Sequence, residues 1–124
     1  MSRSKDKGTA WETAIVHWLR DAGWLHAERR ALSGAHDQGD IAGIPGVVIE
    51  AKNAARVELA AWLDEAEDER SNADADVGVV WFKRRGSTSP GDAYVLMTGL
   101  QFAALLRYSG YGAEVLDEWD GDAP

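Results

Sequence analysis

Apolar residues recur at helical spacing in three segments of the chain, and each segment ends near a polar or glycine-rich stretch. This pattern is typical of amphipathic helices that cover a core with one face. It predicts helices over residues 10–22, 57–70 and 101–108. The positions expected to face inward are Trp11, Ile15, Trp18, Leu19 and Ala22 in the first helix, Leu59, Trp62, Leu63 and Ala66 in the second, and Phe102, Leu105 and Leu106 in the third.

Short apolar runs between these helices predict five strands, over residues 24–30, 40–43, 47–52, 77–82 and 93–97. Ile44-Pro45-Gly46 separates the second strand from the third. Because proline presets one turn position and glycine accepts a positive φ, these two strands are expected to form a hairpin. The order helix, three strands, helix, two strands, helix predicts an α/β fold with a central mixed β-sheet flanked by helices.

Composition is that of one folded domain, expected to span residues 1–124, with a flexible basic arm at 1–8 and a frayed acidic tail at 117–124. No apolar run approaches the roughly 20 residues of a membrane span. The first residues also lack the hydrophobic stretch of a signal peptide, so a cytoplasmic protein with no membrane contact is expected. Since cysteine is absent, disulfides and zinc fingers are excluded.

The formal net charge of -8 argues against a polyanionic partner, but the charge is unevenly distributed. Residues 1–56 carry eight basic and seven acidic side chains, whereas residues 57–124 carry five and fourteen. Phosphate contact depends on local potential, so clustered basic groups matter more than the total. Those clusters are Arg3, Lys5 and Lys7, then Arg29 and Arg30, and finally Lys83, Arg84 and Arg85.

Asp40, Glu50 and Lys52 are the central candidates for chemistry. Strand alternation places Glu50 and Lys52 on one face of the hairpin. A three-residue turn pairs Asp40 with Glu50, whereas a two-residue turn pairs Ile41 with Glu50 and directs Asp40 to the other face unless a bulge intervenes. We predict the three-residue turn or a bulge, which brings the two carboxylates together.

Two opposed carboxylates repel each other, and a cation between them reverses the sign of that interaction. Mg²⁺ is expected here because it prefers oxygen ligands and is commonly held by one or two carboxylates plus a substrate phosphate. Lys52 is then placed to contact a phosphate or the attacking water. The alternative is that Asp40 ends a loop while Glu50 and Lys52 form a solvated salt-bridged face.

The segment from Asp40 to Lys52 resembles the motif of the PD-(D/E)XK nuclease superfamily. A wider set resembles the archaeal-type Holliday junction resolvases within it: Gly8, Glu12, Gly23, Arg30, Ser33-Gly34, Gly39-Asp40 and Glu50-Ala51-Lys52. The resemblance implies a restriction-endonuclease-like fold of order α-β-β-β-α-β-β-α. It also implies a homodimeric, Mg²⁺-dependent endonuclease, with Mn²⁺ able to substitute, which resolves branched DNA.

By the same resemblance, Asp40, Glu50 and the Ala51 backbone carbonyl are metal ligands and Lys52 is the catalytic lysine. Glu12 completes the catalytic site and is a further candidate ligand. The residues expected to contact DNA are Arg29, Arg30, Ser33, His36, Lys83, Arg84 and Arg85.

Several of these roles have alternatives in the sequence. Glu12 also fits a capping box with Thr9 at a helix start. Arg29 and Arg30 end a strand, so only one is expected to face the site, and the 83–85 cluster also fits a solvated turn. His36 is a DNA contact, a proton relay or an idle loop residue. Alternative functions are a nuclease of the same fold with another DNA substrate, or a non-catalytic acidic module that binds DNA or protein.

Overall fold

The computed structural model describes residues 3–31 and 37–112, apart from the side chain of Ser4. The predicted acidic tail lies outside these residues. The described residues form three α-helices and five strands, so the predicted α/β class is confirmed. The elements are α1 (Arg3–Asp21), β1 (Glu28–Arg29), β2 (Ile41–Ala42), β3 (Val47–Lys52), α2 (Leu59–Ala73), β4 (Val77–Phe82), a 3₁₀ turn (Pro90–Asp92), β5 (Tyr94–Leu96) and α3 (Gly99–Ser109).

The five strands form one open mixed sheet in the order β1-β2-β3-β4-β5. β3 and β4 are parallel, and the other neighbours are antiparallel. The bounds predicted for β3 and β4 are confirmed, because both are apolar runs that the fold buries. β1 is much shorter than predicted, since Trp24 and Leu25 are 52% and 73% exposed and the Ala27 N–H bonds back to the Trp24 carbonyl as a turn.

Helix α1 begins at Arg3, so residues 3–8, expected as an arm, lie in its first two turns. These turns are polar and have no apolar residues at helical spacing, which is why the sequence pattern does not predict them. Trp11, Ile15 and Leu19 are buried as predicted. Trp18 is 39% exposed, but its ring meets Trp81 edge-on at 5.6 Å between centroids.

Helix α2 packs on β4 through Trp62 and Ala66, and its Glu69 is buried as well. Leu59, predicted to face inward, is 43% exposed, so that prediction is wrong. Helix α2 approaches the sheet closely at Gly78, where an added Cβ would lie 3.1 Å from the Ala66 carbonyl oxygen.

The predicted inward face of α3 is wrong. Phe102 is 51% exposed and Leu105 and Leu106 are each 38% exposed, whereas Gln101 and Ala104 are buried. The reason lies in the sheet: β5 pairs only with residues 80–82 of β4, which leaves the Gly78 N–H without a strand partner on that side. Gln101 Oε1 accepts a hydrogen bond from this N–H at 3.0 Å, and that contact fixes the rotation of α3.

We expect Gln101→Leu to lower the free energy of unfolding by about 1–3 kcal/mol, because it leaves the buried Gly78 N–H without a hydrogen-bond acceptor. Phe102→Ala is expected to cost less than about 1 kcal/mol, since that side chain is half exposed. Urea unfolding of both variants measures this difference. A larger loss in Phe102→Ala would show that α3 is rotated toward the face that its sequence predicts.

In the part of the chain that the structure describes, none of the helices combines the length and apolar character that a membrane span requires.

Candidate metal centre

The β2–β3 hairpin has the predicted register. Ile41 pairs with Ile49, and this register continues to Asp40 opposite Glu50. The turn depends on Gly46, whose φ is +83°, as predicted for the glycine after proline. Asp40 is held against β3 by two hydrogen bonds: its N–H donates to the Ile49 carbonyl at 2.9 Å, and its Oδ2 accepts from the Ala51 N–H at 2.8 Å.

Glu50 and Lys52 share the face of β3 that α2 covers. Glu50 is 6% exposed, and Lys52 Nζ lies 3.9 Å from Glu50 Oε1. Lys52 Nζ also donates to Glu65 Oε1 on α2 at 2.5 Å. Because Glu50 is buried beneath a helix, the alternative of a solvated salt-bridged strand face is wrong.

Glu69 is a member of this site that the sequence patterns did not identify. It is 2% exposed, and one carboxylate oxygen from each of Asp37, Glu50 and Glu69 lies within 4.8 Å of the others. This group can hold a metal ion. A signal was present, since Glu69 continues the helical spacing of Trp62 and Ala66 and thus places a charge where α2 is otherwise apolar.

The buried carboxylates lack hydrogen-bond donors. Among the described residues, Glu50 Oε2 and both oxygens of Glu69 are buried without a partner. The carboxyl groups of Glu50 and Glu69 are in contact, but two carboxylates have no proton to share, so the contact is favourable only when one is protonated or a cation is present. Several carboxylate oxygens together are suitable ligands for a hard divalent cation.

Burial raises the pKa of Glu50 well above its usual range, and contacts with Glu69 and Asp40 raise it further. Burial also raises the pKa of Glu69; contact with Glu50 lowers it, while the charges of Asp37, Glu65 and Asp40 raise it. For Lys52, the opposing contribution of burial is outweighed by Glu65, Glu50 and Asp40, and its pKa is raised. The cluster therefore favours added positive charge throughout.

Glu12 lies inside α1, nine residues after the helix begins, so the capping-box alternative with Thr9 is wrong. Its Oε1 accepts from Arg29 Nε at 3.1 Å. Burial and the charge of Asp40 raise the pKa of Glu12, against the lowering effect of Arg29. The structure thus brings Glu12 near Asp40, as predicted.

A cleft of about 300 Å³ opens beside Glu12 and Asp40. Arg29 and Arg30 both line it, so the expectation that only one would face the site is wrong. Arg30 Nε is buried without an acceptor among the described residues. Ser33 and His36, predicted to contact DNA, lie outside the described residues.

A second basic cleft, of about 360 Å³, is lined by Lys7 and by the cluster that follows β4, Lys83, Arg84 and Arg85. Lys83 Nζ donates to the Ser87 carbonyl at 2.9 Å, and Arg84 lies over the Tyr94 ring at 5.7 Å. Two of the three predicted DNA contacts in this cluster therefore also have structural partners.

No protein-family model matches the chain, and no match was found among curated proteins or solved structures. The resemblance to the PD-(D/E)XK nucleases therefore stays a prediction from the sequence pattern, as does the role of the Ala51 carbonyl.

Proposed function

We propose that this protein is a Mg²⁺-dependent endonuclease that hydrolyses DNA phosphodiester bonds, with four-way junctions as its preferred substrate. The observation that carries the proposal is the meeting of Asp40, Glu50 and Lys52 at the end of one hairpin, with Glu50 buried and short of donors. A buried carboxylate without donors is costly in a purely structural role.

Asp40 and Glu50 would hold the cation, with Glu12 and the Ala51 carbonyl as further candidates. When bound, a divalent cation polarises a phosphate and lowers the pKa of a water molecule. Lys52 carries the positive charge beside Glu50 and can donate to a phosphate oxygen as negative charge develops there. Contacts with Glu50 and Glu65 hold its ammonium group at this position.

The cleft beside Asp40 supports DNA as the substrate. Arg29 and Arg30 line it together with Asp40, a ligand of the proposed centre, and Glu12, a further candidate ligand. An arginine whose Nε is buried without an acceptor suits a phosphate oxygen. The basic cleft after β4 offers a second place for the sugar–phosphate backbone, which is where most protein–DNA hydrogen bonds are made.

Preference for a junction and action as a homodimer come from the resemblance alone. A four-way junction requires two matched cuts, and a symmetric dimer supplies two matched sites. The same site also suits a repair or restriction-like nuclease on another DNA substrate. The acidic outer face of α2 favours the remaining alternative, a non-catalytic module that binds a protein partner.

Cleavage of a four-way junction, linear duplex and single strand, each with Mg²⁺, Mn²⁺ or EDTA, tests the proposal. We expect paired symmetric nicks in the junction with either metal and none in EDTA. Equal cutting of linear duplex would favour the other nuclease alternative. Absence of metal-dependent cleavage on every substrate would contradict the enzymatic proposal.

A further inference from the structure

The α2 side of the site opens into a different cleft, whose lining among the described residues is acidic or neutral. Its volume is about 450 Å³, and it is lined by Asp37, Glu65, Asp68, Glu69, Ser71 and Asn72. Asp37 lines both this cleft and the one that contains Arg29 and Arg30. One cleft thus combines acidic and basic groups, whereas the described walls of the other present four carboxylates and no basic group to an approaching ion.

Glu69 lines this acidic cleft, and a structural role does not explain why its carboxylate is buried. It is almost completely buried, yet both of its carboxylate oxygens lack partners among the described residues. One of its oxygens lies within 4.8 Å of a carboxylate oxygen of Glu50 and of Asp37, close enough for all three to share one ion. A buried carboxylate that neither donors nor a cation stabilise costs free energy, so an ion is the partner that fits.

A hydrogen bond to its backbone carbonyl holds Asp37 close to α2. Asn72 Nδ2 donates to the Asp37 carbonyl at 2.9 Å, which ties the segment before β2 to the last turn of α2. Asp37 Oδ1 accepts from the Gly39 N–H at 2.9 Å, so one carboxylate oxygen is oriented locally. The three carboxylates therefore come from three parts of the fold, namely the 37–40 segment, β3 and α2.

We propose that Asp37, Glu50 and Glu69 form a divalent-cation site that is reached through the acidic cleft and is distinct from the Asp40 side of Glu50. Carboxylate oxygens select hard ions such as Mg²⁺, Mn²⁺ or Ca²⁺. Glu50 contacts both sides and links this site to the proposed nuclease centre. The site adds a second cation to the proposed nuclease centre, but its existence does not require that the protein cleave DNA.

Mn²⁺ binding to the full chain tests the site. Binding is measured by calorimetry and by the electron paramagnetic resonance signal of free Mn²⁺. The variants are Glu69→Gln, Asp40→Asn and, as a matched control on the exposed face of α2, Asp64→Asn. We expect Glu69→Gln to lose about one equivalent of bound Mn²⁺ that Asp40→Asn and Asp64→Asn retain. Circular dichroism and thermal unfolding in EDTA verify that each variant is folded.

Mn²⁺ should also raise the melting temperature of the wild-type protein and of Asp40→Asn, because an ion that binds only the folded state stabilises it. Unchanged Mn²⁺ binding in Glu69→Gln would overturn the site, as would wild-type protein that binds no Mn²⁺. The outcomes separate the two proposals: binding that needs Glu69 without DNA cleavage contradicts only the nuclease, and cleavage without such binding contradicts only this site.

Discussion

Glu50→Gln is expected to abolish metal-dependent cleavage and, at the same time, to stabilise the metal-free protein. Glutamine keeps the size of glutamate but removes the charge that would hold a cation. Loss of one group that stabilises transition-state charge costs about 10²–10³-fold in rate, so we expect at least that loss on a junction substrate. Single-turnover cleavage at saturating Mg²⁺ measures it.

The stabilisation follows from the repulsion around Glu50 in the absence of a cation. The pKa of Glu50 is raised from its ordinary value of 4.5, first by burial and then by Glu69 and Asp40. A carboxyl whose pKa is higher in the folded than in the unfolded state contributes full stability below its ordinary pKa. That contribution is lost as the pH rises from the ordinary pKa through the pKa of the folded state.

Glutamine does not titrate, and its amide N–H can donate to a partnerless oxygen of Glu69. In EDTA at pH 8 we therefore expect Glu50→Gln to be more stable than wild type by about 1–3 kcal/mol, the usual cost of an unsatisfied buried group. The difference should narrow as the pH falls toward 4.5. Thermal unfolding between about pH 4.5 and pH 9 measures it, with saturating Mg²⁺ expected to favour the wild type instead.

Glu67→Gln is the matched control for this experiment. Glu67 lies on α2 but is exposed, and its contact with Arg70 lowers its pKa. Removing this charge should give no increase in stability at pH 8. A Glu50→Gln protein that unfolds below wild type in EDTA would show that the ionised glutamate is stabilised by the fold, against the role proposed for it.

Gly43→Ala is expected to cause the largest loss of stability. Gly43 has a φ of +93°, and an added Cβ would lie 1.9 Å from the His26 carbonyl oxygen. The contact is with backbone, so no side-chain rotation relieves it. Left-handed strain costs about 1–2 kcal/mol and overpacking about 1–3 kcal/mol, so together they should remove about 2–5 kcal/mol.

This loss is a large fraction of the 5–15 kcal/mol that usually stabilises a domain of this size. It also falls at the hairpin that brings Asp40 to Glu50, so any folded fraction should bind Mn²⁺ poorly. Gly86→Ala is the control: its φ is +84°, but no atom lies within 4 Å of the added Cβ, so only the strain of about 1–2 kcal/mol applies. Equal losses in urea unfolding would show that the His26 contact is not the cause.

Features that depend on local physics could be predicted from short stretches of sequence. Apolar runs specify β3 and β4 because a buried strand requires them, and Pro45-Gly46 specifies the turn because few residues adopt its dihedral angles. Turn length and side-chain alternation together place Asp40 and Glu50 at one end of the hairpin. The central pair of the candidate site was therefore predictable from short segments.

The groups that surround that pair depend on how the elements pack together. Glu69 joins Glu50 because α2 packs across β3 and β4, a contact that links residues distant in sequence. Gln101 rather than Phe102 faces the sheet because the short pairing of β5 leaves the Gly78 N–H in need of an acceptor. Helical periodicity ranks residues by hydrophobicity, whereas the fold also satisfies buried polar groups, and these depend on strand pairing that no local pattern contains.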